Sequence, residues 1–158
     1  MAGRLRSPPR QKSHMPTQRP VFRVLVIDDD VDDQFLVGRA LEKLEPRPQV
    51  RFMLSATHAV AHLDSLERAS TETPYLIICD IKMPRMDGFE FLQWLRKSRH
   101  RAIPVVMRSN SNIHRDVERA YLAGANSFVS KVSDPEEMPQ KLSDIVHYWR
   151  DVSIVPVN

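Results

Sequence analysis

The amino-acid sequence predicts an α/β protein with a doubly wound, five-stranded parallel sheet in the order 2-1-3-4-5. Three observations support this fold class: short apolar runs recur along the chain, helical patterns separate them, and turn residues divide one pattern from the next. Apolar strands that alternate with amphipathic helices require a parallel sheet covered on both faces. Because crossover connections are right-handed, five such units most simply form a flavodoxin-like sheet.

The five predicted strands are short apolar runs, rich in β-branched residues and too short to be helices. They span Arg23–Ile27, Val50–Leu54, Tyr75–Cys79, Ile103–Met107 and Ser127–Ser130. The run Tyr75–Cys79 is the clearest of them. Each run is followed by a stretch with a different period, which indicates that strands and helices alternate.

Five helices are predicted from apolar residues at helical spacing. The first begins at Asp32 and stops at Pro46, and the last runs from Pro135 to Arg150. The three helices between them carry their apolar faces at Ala59, Leu63 and Leu66, at Phe89, Leu92 and Leu95, and at Val117, Ala120 and Tyr121. The chain therefore contains five strand–helix units, and no internal repeat is visible.

Composition excludes several classes of function. The 158 residues are enough for one domain with a real core. The single cysteine excludes a disulfide framework and a four-cysteine zinc site. The four glycines, Gly3, Gly38, Gly88 and Gly124, lie too far apart to form a phosphate-binding loop of the P-loop or dinucleotide type.

The net charge of +3 is unevenly distributed. Residues 1–20 contain five basic residues, four prolines and no acidic residue, so the remainder carries 18 basic and 20 acidic residues and a net charge of −2. We therefore expect a disordered basic leader at 1–20, a folded domain at 21–150 and a C-terminal arm or tail at 151–158. With no secretory signal and no membrane span in the sequence, we expect a cytoplasmic protein that does not bind membranes.

Ionisable and hydroxyl side chains follow four of the predicted strands where they end. Asp28 and Asp29 follow the first strand, Asp80 the third, Ser109 the fourth and Lys131 the fifth. Strands one and three are neighbours where the strand order reverses, and ligands bind at that edge in such sheets. Three carboxylates converging there would repel one another unless a hard cation such as Mg²⁺ joined them. The lysine and the hydroxyl complete a pocket suited to a phosphoryl group on a carboxylate.

These residues and their surroundings resemble the receiver domain of response regulators. The resemblance covers residues 21–150, and its segments occur in the order and spacing of that family. They are Val24–Asp30, the signature Cys79–Gly88, Ser109, Ala123–Ala125, Phe128 and Lys131.

The resemblance implies that Asp80 is a phosphoacceptor in a Mg²⁺-dependent reaction, with Mn²⁺ as an alternative ion. It implies that Asp29, Asp80 and the backbone carbonyl of Lys82 bind the metal and that Asp28 contributes through water. The chain would then be a phosphoacceptor that catalyses its own phosphorylation and dephosphorylation, and not an enzyme with a separate substrate.

The resemblance also implies a switch and its partners. Ser109 would hydrogen-bond the phosphoryl group, Lys131 would pair with it, and Phe128 would move with them, changing the surface of helix four, strand five and helix five. The phosphoryl donor would be a sensor histidine kinase. Since the chain is similar to stand-alone receivers that partner phytochrome kinases, we expect a bacteriophytochrome and no DNA-binding output domain. Separately from the resemblance, the apolar residues of Val152–Val157 need cover. The tail either folds back onto its own domain or clasps a second subunit, so a homodimer would use the C-terminal arm or the switch surface.

Three residues depart from the family pattern. Val132 stands where the family usually has a cis-proline after the lysine, and a cis non-proline bond costs ~2.5–4 kcal/mol, so we expect a trans peptide. Asn110 replaces a small residue and is expected to narrow access for the phosphodonor. Lys82 adds a cation two residues after Asp80 and is expected to alter autodephosphorylation.

Other interpretations remain open at this stage. The acidic block that contains Asp32 and Asp33 is also explained by N-capping of the first helix. A docking receiver that works without phosphorylation would retain the pocket, and Val132 favours it. A phosphatase of the haloacid-dehalogenase type also uses an aspartate after a strand, but it needs a second aspartate where Lys82 stands.

Overall fold

Five parallel strands form one sheet in the order β2-β1-β3-β4-β5, which confirms the predicted fold class. The computed structural model describes residues 21–67, 70–110, 114–131 and 136–156. The strands are β1 (Arg23–Ile27), β2 (Gln49–Met53), β3 (Leu76–Asp80), β4 (Val105–Ser109) and β5 (Ser127–Ser130). The central strands β1, β3 and β4 are buried almost throughout, whereas every residue of the edge strand β2 is exposed or half-buried.

Helices follow the strands and cover both faces of the sheet. They are α1 (Val31–Leu41), α2 (Ala56–Ser65), α3 (Gly88–Lys97), α4 (His114–Leu122) and α5 (Met138–His147), and a π-helical turn, Tyr148–Val152, continues α5. None of the helices in the described ranges combines the length and the apolarity that a membrane crossing requires.

Three strands differ from their predicted bounds: β2 begins and ends one residue earlier, at Gln49–Met53, and β3 and β4 lie one and two residues later. Strand β4 begins two residues later than the apolar run Ile103–Met107, because Pro104 has no N–H for the ladder and supplies only its carbonyl to Ile77. At its other end, β4 continues through Arg108 and Ser109, two polar residues that the apolar pattern had placed outside the strand. Strand β3 is shifted by one residue, so that Asp80 is its last residue.

The first and last helices also differ from the prediction. Asp30 is the N-cap of α1, because its carboxylate accepts hydrogen bonds from the N–H groups of Asp32 (2.9 Å) and Asp33 (3.3 Å). The suggestion that Asp32 and Asp33 cap this helix was therefore wrong, and both lie in its first turn. Helix α5 ends at His147, earlier than the predicted Arg150, because the chain there passes into the π-helical turn.

The core has two layers, one on each face of the sheet. Alternate residues of β1 point to opposite faces: Leu25 and Ile27 belong to the layer beneath α2, α3 and α4, and Val24 and Val26 to the layer beneath α1 and α5. Cys79 lies in the first layer, and its burial raises the pKa of the thiol well above its ordinary value. The cysteine is therefore a core residue and is poorly suited to act as a nucleophile.

Arg96 of α3 ties several loops together at the edge where β4 and β5 begin. Its Nε donates to the carbonyl of Gly124 (2.9 Å), which has a positive φ of 98° just after α4. Its two Nη atoms donate to the carbonyls of Arg101 (2.8 Å) and Ile103 (3.0 Å) and to Oδ1 of Asn126 (3.0 Å). The residues that follow α4 are thereby fastened to α3.

Candidate functional site

Three aspartates meet at the carboxyl edge of the sheet. Asp28 and Asp29 directly follow β1, Asp80 ends the adjacent strand β3, and the two strands are in register at Ile27 and Cys79. Each aspartate offers a carboxylate oxygen, and these oxygens lie within 4.8 Å of one another. Asp28 and Asp80 are buried, whereas Asp29 is exposed. The cluster therefore has a buried floor and one side open to solvent.

Lys131, directly after β5, places its amine among these carboxylates. Its Nζ lies 2.9 Å from Asp28 Oδ2, 3.2 Å from Asp80 Oδ2 and 2.7 Å from Asp33 Oδ2. Burial alone would lower the pKa of Lys131, but hydrogen bonds with Asp33 and Asp28 and the charge of Asp80 raise it above its ordinary value. The lysine is therefore held fully charged.

Asp33 is a residue of this site that the sequence analysis did not assign. It lies in the first turn of α1, and its carboxylate makes the shortest contact of the Lys131 amine, 2.7 Å. A signal was available: α1 begins four residues after β1 ends, so its first turn lies above the same edge of the sheet. Helix capping explained the acidic block equally well, and that explanation hid the role of Asp33.

The carboxyl group of Asp80 has a perturbed acidity. Burial and the neighbouring charge of Asp28 raise the pKa of Asp80, and the charge of Lys131 opposes them only in part. Oδ1 of Asp80 accepts a hydrogen bond from the N–H of Ile81 (2.8 Å), while Oδ2 faces the lysine amine. The two oxygens of this carboxylate are thus oriented by different partners.

The remaining predicted site residues lie on strands β4 and β5 or just beyond them. Ser109 ends β4 and is buried, and Asn110 follows it in an exposed position. The carbonyl of Ser109 accepts a hydrogen bond from the N–H of Lys131 (2.7 Å), which joins the ends of the two strands. Phe128 of β5 is half-buried against the core layer beneath α2, α3 and α4. Val132, whose peptide bond we expected to be trans, lies outside the described residues, as does the leader 1–20.

The signature segment forms the loop between β3 and α3. The side chain of Lys82 is exposed, and Arg85 has a positive φ of 70°, which is unusual for a residue with a side chain. Asp87 caps α3 through a reciprocal capping box: its Oδ1 accepts from the N–H of Glu90, and its own N–H donates to Glu90 Oε2, both at 2.8 Å. The loop is therefore anchored at its α3 end.

Gly88, the last residue of the signature, allows α3 to approach β3 closely. A Cβ atom at this position would lie 2.2 Å from the carbonyl oxygen of Asp80 and 2.9 Å from Cα of Ile81. The N–H of Gly88 donates to the carbonyl of Ile81 (2.8 Å), which closes the corner. The position requires glycine because backbone atoms of Asp80 and Ile81 occupy the space that a side chain would need.

Arg108 of β4 is a second site residue that the sequence analysis missed. It is only 3% exposed, and its Nη1 lies 3.7 Å from Oδ2 of Asp28. Its Nη2 lies 3.8 Å from Sδ of Met138 in α5. Because the predicted strand ended at Met107, Arg108 was not predicted to be a buried strand residue.

The donor set fits a hard divalent cation. Asp28, Asp29 and Asp80 offer carboxylate oxygens, which Mg²⁺ and Mn²⁺ prefer, and the exposed side of the cluster leaves room for water ligands. Lys131 neutralises part of the negative charge but leaves Asp29 without a contact to its amine among the ion pairs of the described residues.

Comparison with known proteins agrees with this geometry. The family model described as the response regulator receiver domain matches residues 24–143. The chain is 30% identical over 129 residues to the probable methanogenesis regulatory protein FilR2 of Methanothrix harundinacea. The aligned segment covers 81% of this chain and 83% of that protein. It is 30% identical over 130 residues to the heme response regulator HssR of Staphylococcus epidermidis, which covers 82% of this chain but only 54% of HssR.

Solved structures with the same fold include two phytochrome-related or metal-bound response regulators. The phosphorylated cyanobacterial phytochrome response regulator RcpA has a TM-score of 0.79 and 25% identity, over 86% of this chain and 99% of that one. The Mn²⁺-bound form of response regulator Rcp1 has a TM-score of 0.75 over 85% and 99% of the two chains, and at 23% identity it supports the fold alone. Since the family model covers most of the chain and a relative matches at 30% identity over most of its length, the chain belongs to the response regulator receiver domain family of two-component signalling.

Proposed function

We propose that this domain accepts a phosphoryl group on Asp80 from a phosphohistidine of a sensor histidine kinase, in a reaction that depends on Mg²⁺. The observation that carries the proposal is the convergence of three carboxylates and one charged lysine at the carboxyl edge of the sheet. Phosphoryl transfer needs mainly positioning and neutralisation of charge, and this arrangement offers both.

In the proposed step, a carboxylate oxygen of Asp80 attacks the phosphorus atom of the phosphohistidine. A P–O bond forms, the P–N bond breaks, and the imidazole nitrogen leaves with the electron pair. The N–H of Ile81 holds Oδ1 of Asp80 at 2.8 Å, so the carboxylate cannot rotate freely. Lys131, already 3.2 Å from Oδ2, would pair with the incoming phosphoryl oxygens.

Asp29 and Asp80 would hold the metal together with the carbonyl of Lys82, and Asp28 would act through water. When bound, Mg²⁺ supplies positive charge to the phosphoryl oxygens. The protein's own part is to place the two buried carboxylates beside the amine of Lys131 and to leave Asp29 accessible.

Phosphorylation would then switch the surface formed by α4, β5 and α5. The acyl phosphate adds negative charge beside Ser109, whose hydroxyl would turn towards it, and Phe128 would follow into the space released. Strands β4 and β5 are paired, with Phe128 opposite Met107 and Ser130 opposite Ser109. A shift of the end of β4 would therefore also displace the end of β5.

Two exposed residues at the rim would tune the rates of the reaction. Lys82 is exposed beside the acceptor, and we expect Lys82→Ala to change the rate of autodephosphorylation. Asn110 is exposed directly after Ser109, and we expect Asn110→Ala to speed phosphorylation by a small donor. A gel-shift assay can follow loss of the phosphoryl group in Lys82→Ala and its uptake in Asn110→Ala. A rate equal to that of the wild type in either variant would refute the corresponding expectation.

The decisive experiment is labelling with acetyl phosphate and Mg²⁺. We expect the wild type to gain the mass of one phosphoryl group in a bond that hydroxylamine cleaves. Asp80→Asn should not be labelled, whereas Asp144→Asn, which removes an exposed carboxylate of α5, should behave as the wild type. Equal labelling of Asp80→Asn would refute the proposal. Absence of labelling in the folded wild type would favour a docking receiver that works without phosphorylation.

The proposed partner is a kinase of the phytochrome class. The likeness to a cyanobacterial phytochrome response regulator supports this choice. Phosphotransfer from each sensor kinase of the host, measured at short times, would identify the preferred donor. Preferential transfer from a kinase of another class would refute the phytochrome assignment.

We also propose that the C-terminal arm contributes to a homodimer. Arg150 of the π-helical turn donates to the carbonyl of Pro46 (2.7 Å) and so fastens the start of the arm to its own domain. Beyond this point Ile154 is an apolar side chain that the described part of the chain leaves 98% exposed. Truncation after Arg150 should shift a dimer towards the monomer in sedimentation. A truncated protein that stays fully dimeric would leave the α4-β5-α5 surface as the interface.

A further inference from the structure

Arg108 is a buried cation inside the acidic cluster that the proposed reaction does not use. Its side chain is 4% exposed, and the carboxylate that it approaches is that of Asp28, at 3.7 Å. Asp28 Oδ2 also lies 2.9 Å from the Lys131 amine, so two cations share one oxygen of a residue that we place at the metal site. Burial of a guanidinium is costly unless it has such a partner.

The position of Arg108 makes its charge a fixed part of the site. It lies within β4, opposite Asp80 on one neighbouring strand and Val129 on the other, and its carbonyl accepts a hydrogen bond from Ile81 (3.1 Å). The side chain is enclosed by the sheet and by Met138 of α5. Whereas Lys131 follows the end of a strand, the backbone of Arg108 is held by strand pairing on both sides.

The charges of the cluster show what Arg108 changes. The cluster contains four carboxylates, those of Asp28, Asp29, Asp33 and Asp80, and two cations, the amine of Lys131 and the guanidinium of Arg108. These groups together carry a net charge of −2, and without the arginine the same site would carry −3. A dication entering the cluster is repelled by each resident positive charge, and this repulsion is strong where the surroundings exclude water.

We propose that Arg108 is a built-in counter-cation for Asp28 that weakens the affinity of this site for Mg²⁺ and so makes phosphorylation dependent on the metal concentration. This inference rests on the proposed function only in that it takes the cluster to be the Mg²⁺ site. Arg108 has no direct part in phosphoryl transfer. It acts through Asp28 and is therefore a positioning residue.

The test is the Mg²⁺ affinity of variants at position 108, measured by isothermal titration calorimetry. Arg108→Met removes the charge and keeps an unbranched side chain that can pack against Met138. We expect it to bind Mg²⁺ roughly tenfold or more tightly than the wild type, from Coulomb's law with an effective dielectric constant of about 20. Arg108→Lys keeps the charge and should stay within about threefold of the wild type.

A matched control removes a positive charge elsewhere. Arg47 is exposed, close to the edge of the sheet where β2 begins, so Arg47→Met changes the net charge equally but far from the cluster. It should leave the affinity unchanged. Affinities of folded Arg108→Met within about threefold of the wild type, or equal tightening in Arg108→Lys, would refute the proposal. Thermal melts without metal establish that each variant is folded.

A measurement on the wild type covers the case in which the neutral variant Arg108→Met does not fold. The Nε–Hε NMR resonance of Arg108, assigned by its absence from Arg108→Lys, should shift during a Mg²⁺ titration with the midpoint found by calorimetry. An unshifted resonance would refute the proposal. If the wild type and every variant failed to bind Mg²⁺, the metal site itself would be wrong, whereas equal affinities refute only the role of Arg108.

Discussion

Alanine at position 88 would force α3 away from the end of β3. Gly88 is the first residue of α3, and its N–H closes the corner by donating to the carbonyl of Ile81 at 2.8 Å. The added Cβ would lie 2.2 Å from the carbonyl oxygen of Asp80, 2.9 Å from Cα of Ile81 and 2.9 Å from Cε of Met107. Only the methionine could move by a change of rotamer.

The cost of Gly88→Ala follows from these distances. Ordinary contacts of a Cβ atom begin near 3.4 Å, so the backbone at Asp80 would have to retreat by more than an ångström. Overpacking that side chains can relieve costs about 1–3 kcal/mol, and here two of the three obstructing atoms belong to the backbone of buried residues. We therefore expect a loss of about 3 kcal/mol or more in the free energy of unfolding, and a fall in Tm of about 10 °C.

Urea denaturation and thermal melts measure this loss, and Gly38→Ala is the matched control. Gly38 lies within α1, and its added Cβ would meet only the side chain of Phe52, at 3.3 Å. Because alanine favours a helix over glycine by up to ~1 kcal/mol, Gly38→Ala should be as stable as the wild type or more so. The reasoning is refuted if Gly88→Ala stays within about 1 kcal/mol of the wild type and still accepts a phosphoryl group.

Three further substitutions test the electrostatics and the backbone of the site. Burial and the charge of Asp28 raise the pKa of Asp80 in the folded protein above its value in the unfolded chain. The ionised carboxylate therefore destabilises the fold at a pH above the folded-state pKa, and the penalty vanishes at a pH below the unfolded-state pKa. Without metal, Asp80→Asn should raise the free energy of unfolding by about 1 kcal/mol at pH 7 and leave it unchanged near pH 3. A gain in urea melts that did not change with pH would contradict this account. Asp33→Asn removes the closest contact of the buried lysine and should lose about 1–2 kcal/mol, unlike the exposed Asp32→Asn; equal losses would refute the role of Asp33. Arg85→Asn should raise Tm by about 2–3 °C, because asparagine tolerates a φ of 70° better than arginine, and an unchanged Tm would argue against strain there.

The fold was predictable because its central strands β1, β3 and β4 are buried and therefore consist of apolar runs. Strands β1 and β5 have the bounds that the apolar runs indicated, and polar residues mark three of their four ends: Asp28 follows β1, and Asn126 and Lys131 flank β5. Strand β4 was misplaced by two residues, because Ile103 and Pro104 are apolar but precede the ladder. The polar residues Arg108 and Ser109 belong to β4 because they are paired with residues of the neighbouring strands β3 and β5. The local composition of the chain gives no information about such pairing.

The site was predictable where a residue follows directly from a strand end. Asp28, Asp80 and Lys131 belong to this class, and topology alone brings them together. Asp33 and Arg108 reach the same cluster from a helix turn and from a strand interior. Their roles depend on side-chain direction and burial, which a sequence without its structure does not specify.

The bond network of Arg96 determines where α4 can move. Because the Gly124 carbonyl is held at 2.9 Å, the C-terminal end of α4 at Leu122 acts as a pivot, and the opposite end at His114 lies beyond the carboxyl edge of β4. A nine-residue helix is about 13 Å long, so a tilt of about 10° would displace the far end by about 2 Å and hardly move the pivot. Under the proposed function, a displacement of α4 caused by phosphorylation of Asp80 would therefore be largest at the first turn of this helix and smallest near Leu122. A partner that recognises the phosphorylated form would gain most by contacting that first turn.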